Sequence, residues 1–285
     1  MSWDPVAWAR TTGVAPGAPT ARAPEGAMPS GRLIGLDREA WLARVEPTAA
    51  LGPLELELRA AGWTLGPLPE DGERMPVATA LATDAAATAG SGAGFTALRL
   101  DETAQGVRLR IRPVPAAQAG AAILLPDLAR GLEALRQLAR TGLLPAEALL
   151  LDRAAAGLWL AAAMVGRQTE ELLRPDDALL VLVAQGPSGA VSERIAAAAE
   201  ALRDLGAESL GQEVAQAWAA ARERVPAAGP PLAAAGWRLD RREARRPWSE
   251  TAIDADAPGD WVGLEYTGAD AHGALVRARR LSAGA

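Results

Sequence analysis

Residues 121–142 read AAILLPDLARGLEALRQLARTG, and this stretch decides the fold class. Its opening apolar run is short enough to predict a buried strand. Asp127 follows as a helix N-cap, and Gly142 stands where that helix would end. Leucines spaced three or four residues apart predict one apolar face of an amphipathic helix: Leu128, Leu132, Leu135 and Leu138. A strand, a turn and a helix therefore follow one another here.

The alternation of strand and helix continues along the chain. The hydrophobic patterns predict two further strands, at 147–151 and 178–184, and helices at 153–167, 191–205 and 213–224. Two consecutive strand–helix passes predict an antiparallel sheet backed by helices, of the ferredoxin-like kind, within the α+β class. Segments 261–266 and 274–278 are candidate closing strands.

The residues before this region predict a second, smaller α+β unit. A helix is indicated over 48–61 by leucines at 51, 54 and 58, with Thr48 as its N-cap and Gly62 as its end. Strict alternation of apolar residues with arginine predicts a strand with one solvated face at 106–113. Two more strands are indicated upstream, at 33–37 and 41–46.

A junction rich in proline, alanine and glycine at 113–120 predicts a domain boundary. It divides the chain into one domain at 1–115 and another at 116–285. With 285 residues and 49% hydrophobic content, the chain is long enough for both to have a core.

Composition excludes several classes of function. The net charge of −6 argues against a nucleic-acid partner, because phosphate contacts need a basic face. The absence of cysteine excludes disulfides and thiolate chemistry. The longest apolar stretches fall well short of the roughly 20 residues that span a bilayer, so no membrane span is expected. No targeting segment is recognised, and a cytoplasmic location is the expectation.

Several motifs follow one another in a family's order. The segment RIRPVP at 110–115 precedes the strand and helix quoted above, and GLLP at 142–145 and LDR at 151–153 come after them. This order resembles the FAD-linked oxidases of the vanillyl-alcohol oxidase superfamily, including the glycolate and D-lactate dehydrogenases and the alkyldihydroxyacetonephosphate synthases. The resemblance implies a PCMH-type FAD-binding domain at 1–115, a cap domain at 116–285, and FAD as the cofactor.

The loop that would hold the FAD pyrophosphate departs from the family. It retains three residues that the resemblance assigns to cofactor binding: Gly17, Thr20 and Gly26. Two prolines within it cannot donate a backbone N–H, and Glu25 places an anion near the phosphates.

Two other stretches that the resemblance assigns to flavin contact also lack residues that the family has. The family's T-x-G-G segment corresponds to residues 76–79, which keep only Thr79 as a cofactor-binding candidate and have lost both glycines. A second stretch keeps Gly92 and Gly94 as candidates. The resemblance therefore implies a degenerate FAD-binding domain, in which FAD binding is itself in question.

No catalytic residue can be assigned from the sequence. His272 is the chain's one histidine and reads as a loop residue, where the relatives have several histidines near the flavin. Residues 176–177 and 186–189 read as turns, and the arginine-rich run at 238–246 reads as a solvated face. No metal site is predicted, because convergent ligands are lacking.

Three hypotheses follow. The first is a non-catalytic or accessory subunit that pairs with a full-length FAD-linked dehydrogenase, because a cap-domain core is kept while the cofactor loop is eroded. The second is an active FAD-dependent oxidoreductase that acts on a 2-hydroxy acid such as glycolate or D-lactate. The third is a two-domain α+β interaction protein unrelated to the family.

Overall fold

The structure is a computed structural model, in which the described part of the chain divides into two compact units between Pro115 and Ala116. We call the part before this point the first unit and the part after it the second unit. The described residues are 32–66, 68, 74–82, 102–103, 106–145, 147–163, 173–221, 237–251, 261–267, 269 and 271–283.

The described residues of the first unit form small antiparallel sheets and two short helices. Four strands pair in the order β1-β2-β5-β4, and β3 pairs with β6. The predicted alternation in β5 is confirmed, since Val107 and Leu109 are buried while Arg108 and Arg110 are exposed. The elements are β1 (Leu33–Asp37), β2 (Leu42–Val45), α1 (Leu51–Ala60), β3 (Trp63–Thr64), α2 (Val77–Ala82), β4 (Glu102–Thr103), β5 (Gly106–Arg110) and β6 (Arg112–Pro113).

Helix α1 packs on this sheet through its leucines. The predicted stripe is confirmed, because Leu51, Leu54 and Leu58 are all buried in the core of the first unit. The predicted N-cap at Thr48 is wrong. The helix begins after Ala50, which makes no side-chain cap, and the N–H of Leu51 donates instead to the carbonyl of Met75 at 3.0 Å. A tertiary backbone bond thus replaces the side-chain cap.

The second unit is built on one seven-stranded sheet in which all neighbouring strands are antiparallel. The strand order is β10-β7-β9-β8-β12-β13-β11. Its elements are β7 (Ala117–Leu125), α3 (Leu128–Thr141), β8 (Glu147–Leu151), α4 (Arg153–Ala163), β9 (Ala178–Gly186), α5 (Ser188–Ala201), β10 (Glu208–Gly211), α6 (Gln212–Ala221), β11 (Trp237–Pro247), β12 (Trp261–Thr267) and β13 (Gly273–Ala283).

Half of this sheet has the predicted ferredoxin-like arrangement. The elements β7, α3, β8, β9, α5 and β10 give the strand order β10-β7-β9-β8, that of a split βαβ fold. The α+β class is confirmed. Helix α3 also follows the sequence closely, because the Asp127 carboxylate accepts from the N–H of Arg130 at 2.6 Å and Gly142 is left-handed at φ 70°. Strand β10 was not predicted, because its residues are mostly exposed and lack an alternating pattern.

Helices cover both faces of the sheet, whereas a ferredoxin-like unit needs only one face covered. Residues 178–184 of β9 are all buried, and their side chains alternate between two separate cores. Helices α3 and α5 contribute to one core, and α4 and α6 contribute to the other. A strand that is buried on both faces reads as a continuous apolar run, which explains the unbroken sequence ALLVLVA.

Three long strands extend the sheet beyond β8. The predicted closing strands are confirmed as β12 and β13 and are longer than expected. The arginine-rich run lies within β11, which pairs with β13 along its whole length and forms one edge of the sheet. The predicted turn at 186–189 is wrong in extent, because β9 continues to Gly186 and α5 begins at Ser188.

The close contact between β7 and helix α6 can be tested by substitution at Gly120. A Cβ at this position would lie 2.9 Å from the Ala215 Cβ and 3.2 Å from the Leu182 carbonyl oxygen. We expect Gly120→Ala to lower the free energy of unfolding by about 1–3 kcal/mol, because backbone must shift to admit the methyl group. Gly189→Ala is the matched control, since open space surrounds Gly189 in helix α5. Urea denaturation of both variants checks this, and equal effects would contradict it.

Candidate functional site

The structure places one of the six sequence-predicted cofactor residues. Thr79 lies in helix α2, where it is exposed. The other five lie outside the described residues: Gly17, Thr20, Gly26, Gly92 and Gly94. Of the stretches that the resemblance assigns to the flavin, the structure describes residues 76–79.

Backbone donors at the start of α2 are used within the protein. The N–H of Val77 donates to the carbonyl of Ala49 at 2.8 Å, and the N–H of Ala78 donates to the carbonyl of Pro47 at 2.9 Å. The resemblance predicts that this segment lies against the flavin, through two glycines that are absent here. Here it forms a helix whose first N–H groups already have partners, so these donors are not offered to a cofactor. This segment does not fit FAD.

A buried carboxylate fixes the loop after helix α1. The Glu55 carboxylate accepts hydrogen bonds from the Thr64 hydroxyl, from the N–H of Leu65 at 2.7 Å and from Arg59 Nε at 2.6 Å. The Thr64 hydroxyl in turn accepts from the N–H of Gly66 at 2.9 Å. A buried carboxylate needs such partners, and here they tie β3 and the two residues after it to helix α1.

The second unit contains another cluster of buried polar groups, where β8 ends and β12 passes beside it. The Asp152 carboxylate accepts from the N–H of Ala155 at 2.8 Å and from the N–H of Leu264 at 2.9 Å. Glu265, which is 0% exposed, accepts from Trp159 Nε1 at 3.1 Å. The cluster ties the start of helix α4 to strand β12.

Burial shifts two pKa values in this cluster. Desolvation raises the pKa of Asp152 from 3.8 to about 6, although the hydrogen bonds from Ala155 and Leu264 oppose the shift. Desolvation also raises the pKa of Tyr266 to about 12, and the nearby Asp152 charge adds to this. The Tyr266 hydroxyl donates to the Thr251 carbonyl at 3.1 Å, so it is a buried structural donor.

These groups hold elements together, and none of them forms an open catalytic centre. His272 is exposed between β12 and β13, and its carbonyl accepts from the N–H of Trp248 at 3.3 Å. The Asp177 carboxylate accepts from the N–H of Arg174 at 2.8 Å, which closes the predicted turn before β9. Among the residues that the structure describes, no group of three or more potential metal ligands converges.

Sequence patterns did not single out three carboxylates that bond within the protein interior. Asp152 was noted only as part of a motif, and Glu55 and Glu265 were not singled out. Glu265 carried a signal, because it interrupts the apolar strand WVGLEYT. Glu55 carried a weaker one, since its spacing from Leu51 and Leu58 puts it on the buried side of α1.

Comparison with known proteins gives a family match for the second unit. Residues 114–253 match the family of FAD linked oxidases, C-terminal domain. The chain is a relative of the FAD-linked oxidases. The match begins at the boundary of the second unit and continues through β11. No curated protein sequence matches the chain at a significant level.

Solved structures agree with this relationship at the level of the fold. An alkyldihydroxyacetonephosphate synthase superposes with a TM-score of 0.72 at 18% identity, over 88% of this chain and 60% of its own. The 4-ethylphenol oxidase of Gulosibacter chungangensis, in complex with isoeugenol, gives 0.58 at 12% identity, over 88% of this chain and 64% of its own.

A p-cresol methylhydroxylase with substrate bound also gives a TM-score of 0.58 at 12% identity, with 87% of this chain and 63% of that chain covered. The chain thus spans less than two thirds of each of these proteins. In the part that the structure describes, no helix is both long and apolar enough to cross a membrane.

The raised pKa of Asp152 predicts a pH-dependent contribution to stability. Folding favours the protonated carboxyl, so this contribution is present below about pH 4 and is lost as the pH rises through about 6. We expect the difference in unfolding free energy between the wild type and Asp152→Asn to fall by about 2 kcal/mol between pH 4 and pH 7. Asp127→Asn, at another helix N-cap, controls for capping alone. A difference that stays constant with pH contradicts the prediction.

Truncation of the Glu55 side chain is expected to lower the stability of the protein substantially. Glu55→Ala leaves the Thr64 hydroxyl and the Leu65 N–H buried without an acceptor, and we expect it to cost about 2–4 kcal/mol. Glu57→Ala is the control on the exposed face of the same helix, with an expected change below about 0.5 kcal/mol. Guanidinium denaturation monitored by circular dichroism compares the two, and similar midpoints would show that the buried carboxylate is dispensable.

Proposed function

We propose that this chain is a non-catalytic accessory subunit that assembles with a full-length FAD-linked dehydrogenase. One observation carries the proposal. The N–H groups of Val77 and Ala78, in the segment that corresponds to the family's flavin-contacting glycines, are bonded to the carbonyls of Ala49 and Pro47. A backbone donor committed in this way contributes nothing to holding a flavin.

The proposal assigns a role to each part of the chain. Residues 1–115 are a degenerate PCMH-type FAD-binding domain, and residues 116–285 are a cap domain that keeps its packing. The family match over 114–253 and the two cores of the second unit support the second assignment. Packing and chemistry are separate demands on a sequence, so a fold can be kept while a site is lost.

The competing hypothesis is an active FAD-dependent enzyme acting on a 2-hydroxy acid. It rests on the glycines and the threonine that remain in the sequence, Gly17, Thr20 and Gly26 among them. The two hypotheses differ in whether the purified chain holds flavin. They also differ in whether dehydrogenase activity needs a second, larger protein.

The visible absorption spectrum of the purified chain, before and after incubation with FAD and desalting, is the deciding measurement. We expect no flavin band in either sample. The variant with Ala78→Gly and Thr79→Gly, which restores the family's two glycines, is also expected to stay colourless because the Pro47 carbonyl still holds the N–H of residue 78. A retained flavin band in the wild type would overturn the proposal in favour of the enzyme.

A second measurement tests the partner. We expect the tagged chain to co-purify from its own cells with a larger flavin-containing protein, and the complex to reduce a dye with glycolate or D-lactate. Removal of the chain from the complex is expected to lower that activity. A chain that purifies without a flavoprotein, under conditions that preserve complexes, contradicts the accessory role.

A further inference from the structure

A cavity of about 450 Å³ opens in the first unit beside the turn between β1 and β2. It lies at one end of the small sheet, because Arg110 pairs with Leu42 there, while Val107 pairs with Val45 at the end that leads to Pro47. The cavity is thus separate from the segment considered above for flavin. Its main lining residues are Glu39, Trp41, Leu65, Arg110, Ile111 and Arg112.

The turn presents Trp41 as one wall of this cavity. Trp41 has φ 57°, and among the described residues no other non-glycine residue has a positive φ. Its carbonyl accepts from the N–H of Ile111 at 2.9 Å, which fixes the strained backbone against the neighbouring strand. The indole is 50% exposed and meets Trp63 edge-on at 6.3 Å. A half-exposed indole held in this way is a preformed surface for a flat apolar group.

The Asp37 carboxylate makes the turn rigid. It accepts from the N–H of Glu39 at 3.1 Å and from the N–H of Ala40 at 2.9 Å, so both donors are satisfied before any ligand arrives. Little ordering of the turn is then left to occur on binding, which favours affinity.

Two guanidinium groups supply the polar side of the cavity. Arg112 Nε is buried, and within the described residues no acceptor bonds to it. Neither Arg110 nor Arg112 forms an ion pair with a described residue. The guanidinium lines the cavity, and a planar oxyanion there can pair with its terminal Nη groups. Among the described lining residues Glu39 is the one carboxylate, so the described lining carries a net charge of +1.

We propose that this cavity binds a small organic carboxylate with an aromatic body. The carboxylate pairs with the Arg112 guanidinium, and the ring lies between the Trp41 indole and the apolar floor formed by Leu65 and Ile111. A single negative charge matches the lining, whereas Glu39 opposes a dianion such as a phosphate monoester. The cavity has the size of known small-molecule sites. The proposal is independent of the accessory role proposed above.

Binding of phenylacetate to the full-length chain tests the proposal, with isothermal titration calorimetry and tryptophan fluorescence as readouts. We expect saturable binding that weakens about tenfold or more in Arg112→Ala, since a charge-assisted bidentate pair is lost. Arg108→Ala is the matched control, because Arg108 is exposed on β5 and does not line the cavity. The control is expected to change the affinity less than about twofold.

Phenyl phosphate is the second probe and is expected to bind more weakly than phenylacetate. The midpoint of thermal unfolding of Arg112→Ala should match that of the wild type, because Arg112 Nε bonds to no described residue. If this variant fails to fold, Arg110→Ala replaces it, and weaker binding of phenylacetate is again expected. Three results would each overturn the proposal: no saturable binding of phenylacetate, equal losses in the Arg112 and Arg108 variants, or tighter binding of the phosphate.

Discussion

The burial of strand β9 on both faces is the constraint on which the second unit depends. Seven consecutive residues, 178–184, are buried, so neither face of the central sheet can be left to water. The ferredoxin-like pair α3 and α5 covers only one face. Helix α4, inserted between β8 and β9, and helix α6, which follows β10, cover the other face. The additional helices are therefore required by the apolar sequence of β9.

Covering both faces also brings polar groups into the interior, where each needs a hydrogen-bond partner. The Asp152 carboxylate begins α4 and bonds to the β12 backbone, while Trp159 from the same helix donates to Glu265 on that strand. Helix α4 is thus fixed by polar contacts at its first turns as well as by apolar packing. Desolvation destabilises the charged form of the Asp152 carboxylate, and this raises its pKa.

Elements whose buried residues recur with a regular local spacing could be predicted from the sequence. The leucine stripe of α3, its Asp127 cap and the apolar run of β9 are of this kind. Elements defined by a distant partner could not: β10 shows no pattern of its own and exists because it pairs with β7, and Ala50 begins α1 because Met75 accepts the Leu51 N–H. Thr79 stays a prediction that rests on resemblance, and the tertiary bonds of Val77 and Ala78 beside it could not be read from the sequence.

The first unit uses backbone donors at residues 77–78 for its own packing. Glycines at a flavin-contacting segment leave the backbone open to a ligand, whereas the residues present at 77–79 form a helix whose leading N–H groups bond to Ala49 and Pro47. The same N–H cannot serve both a protein carbonyl and a cofactor. Because these bonds also anchor α2 to the chain before α1, reopening the segment would remove support from the core around Val77 and Ala80. Opening this segment to any ligand would therefore lower the stability of the unit.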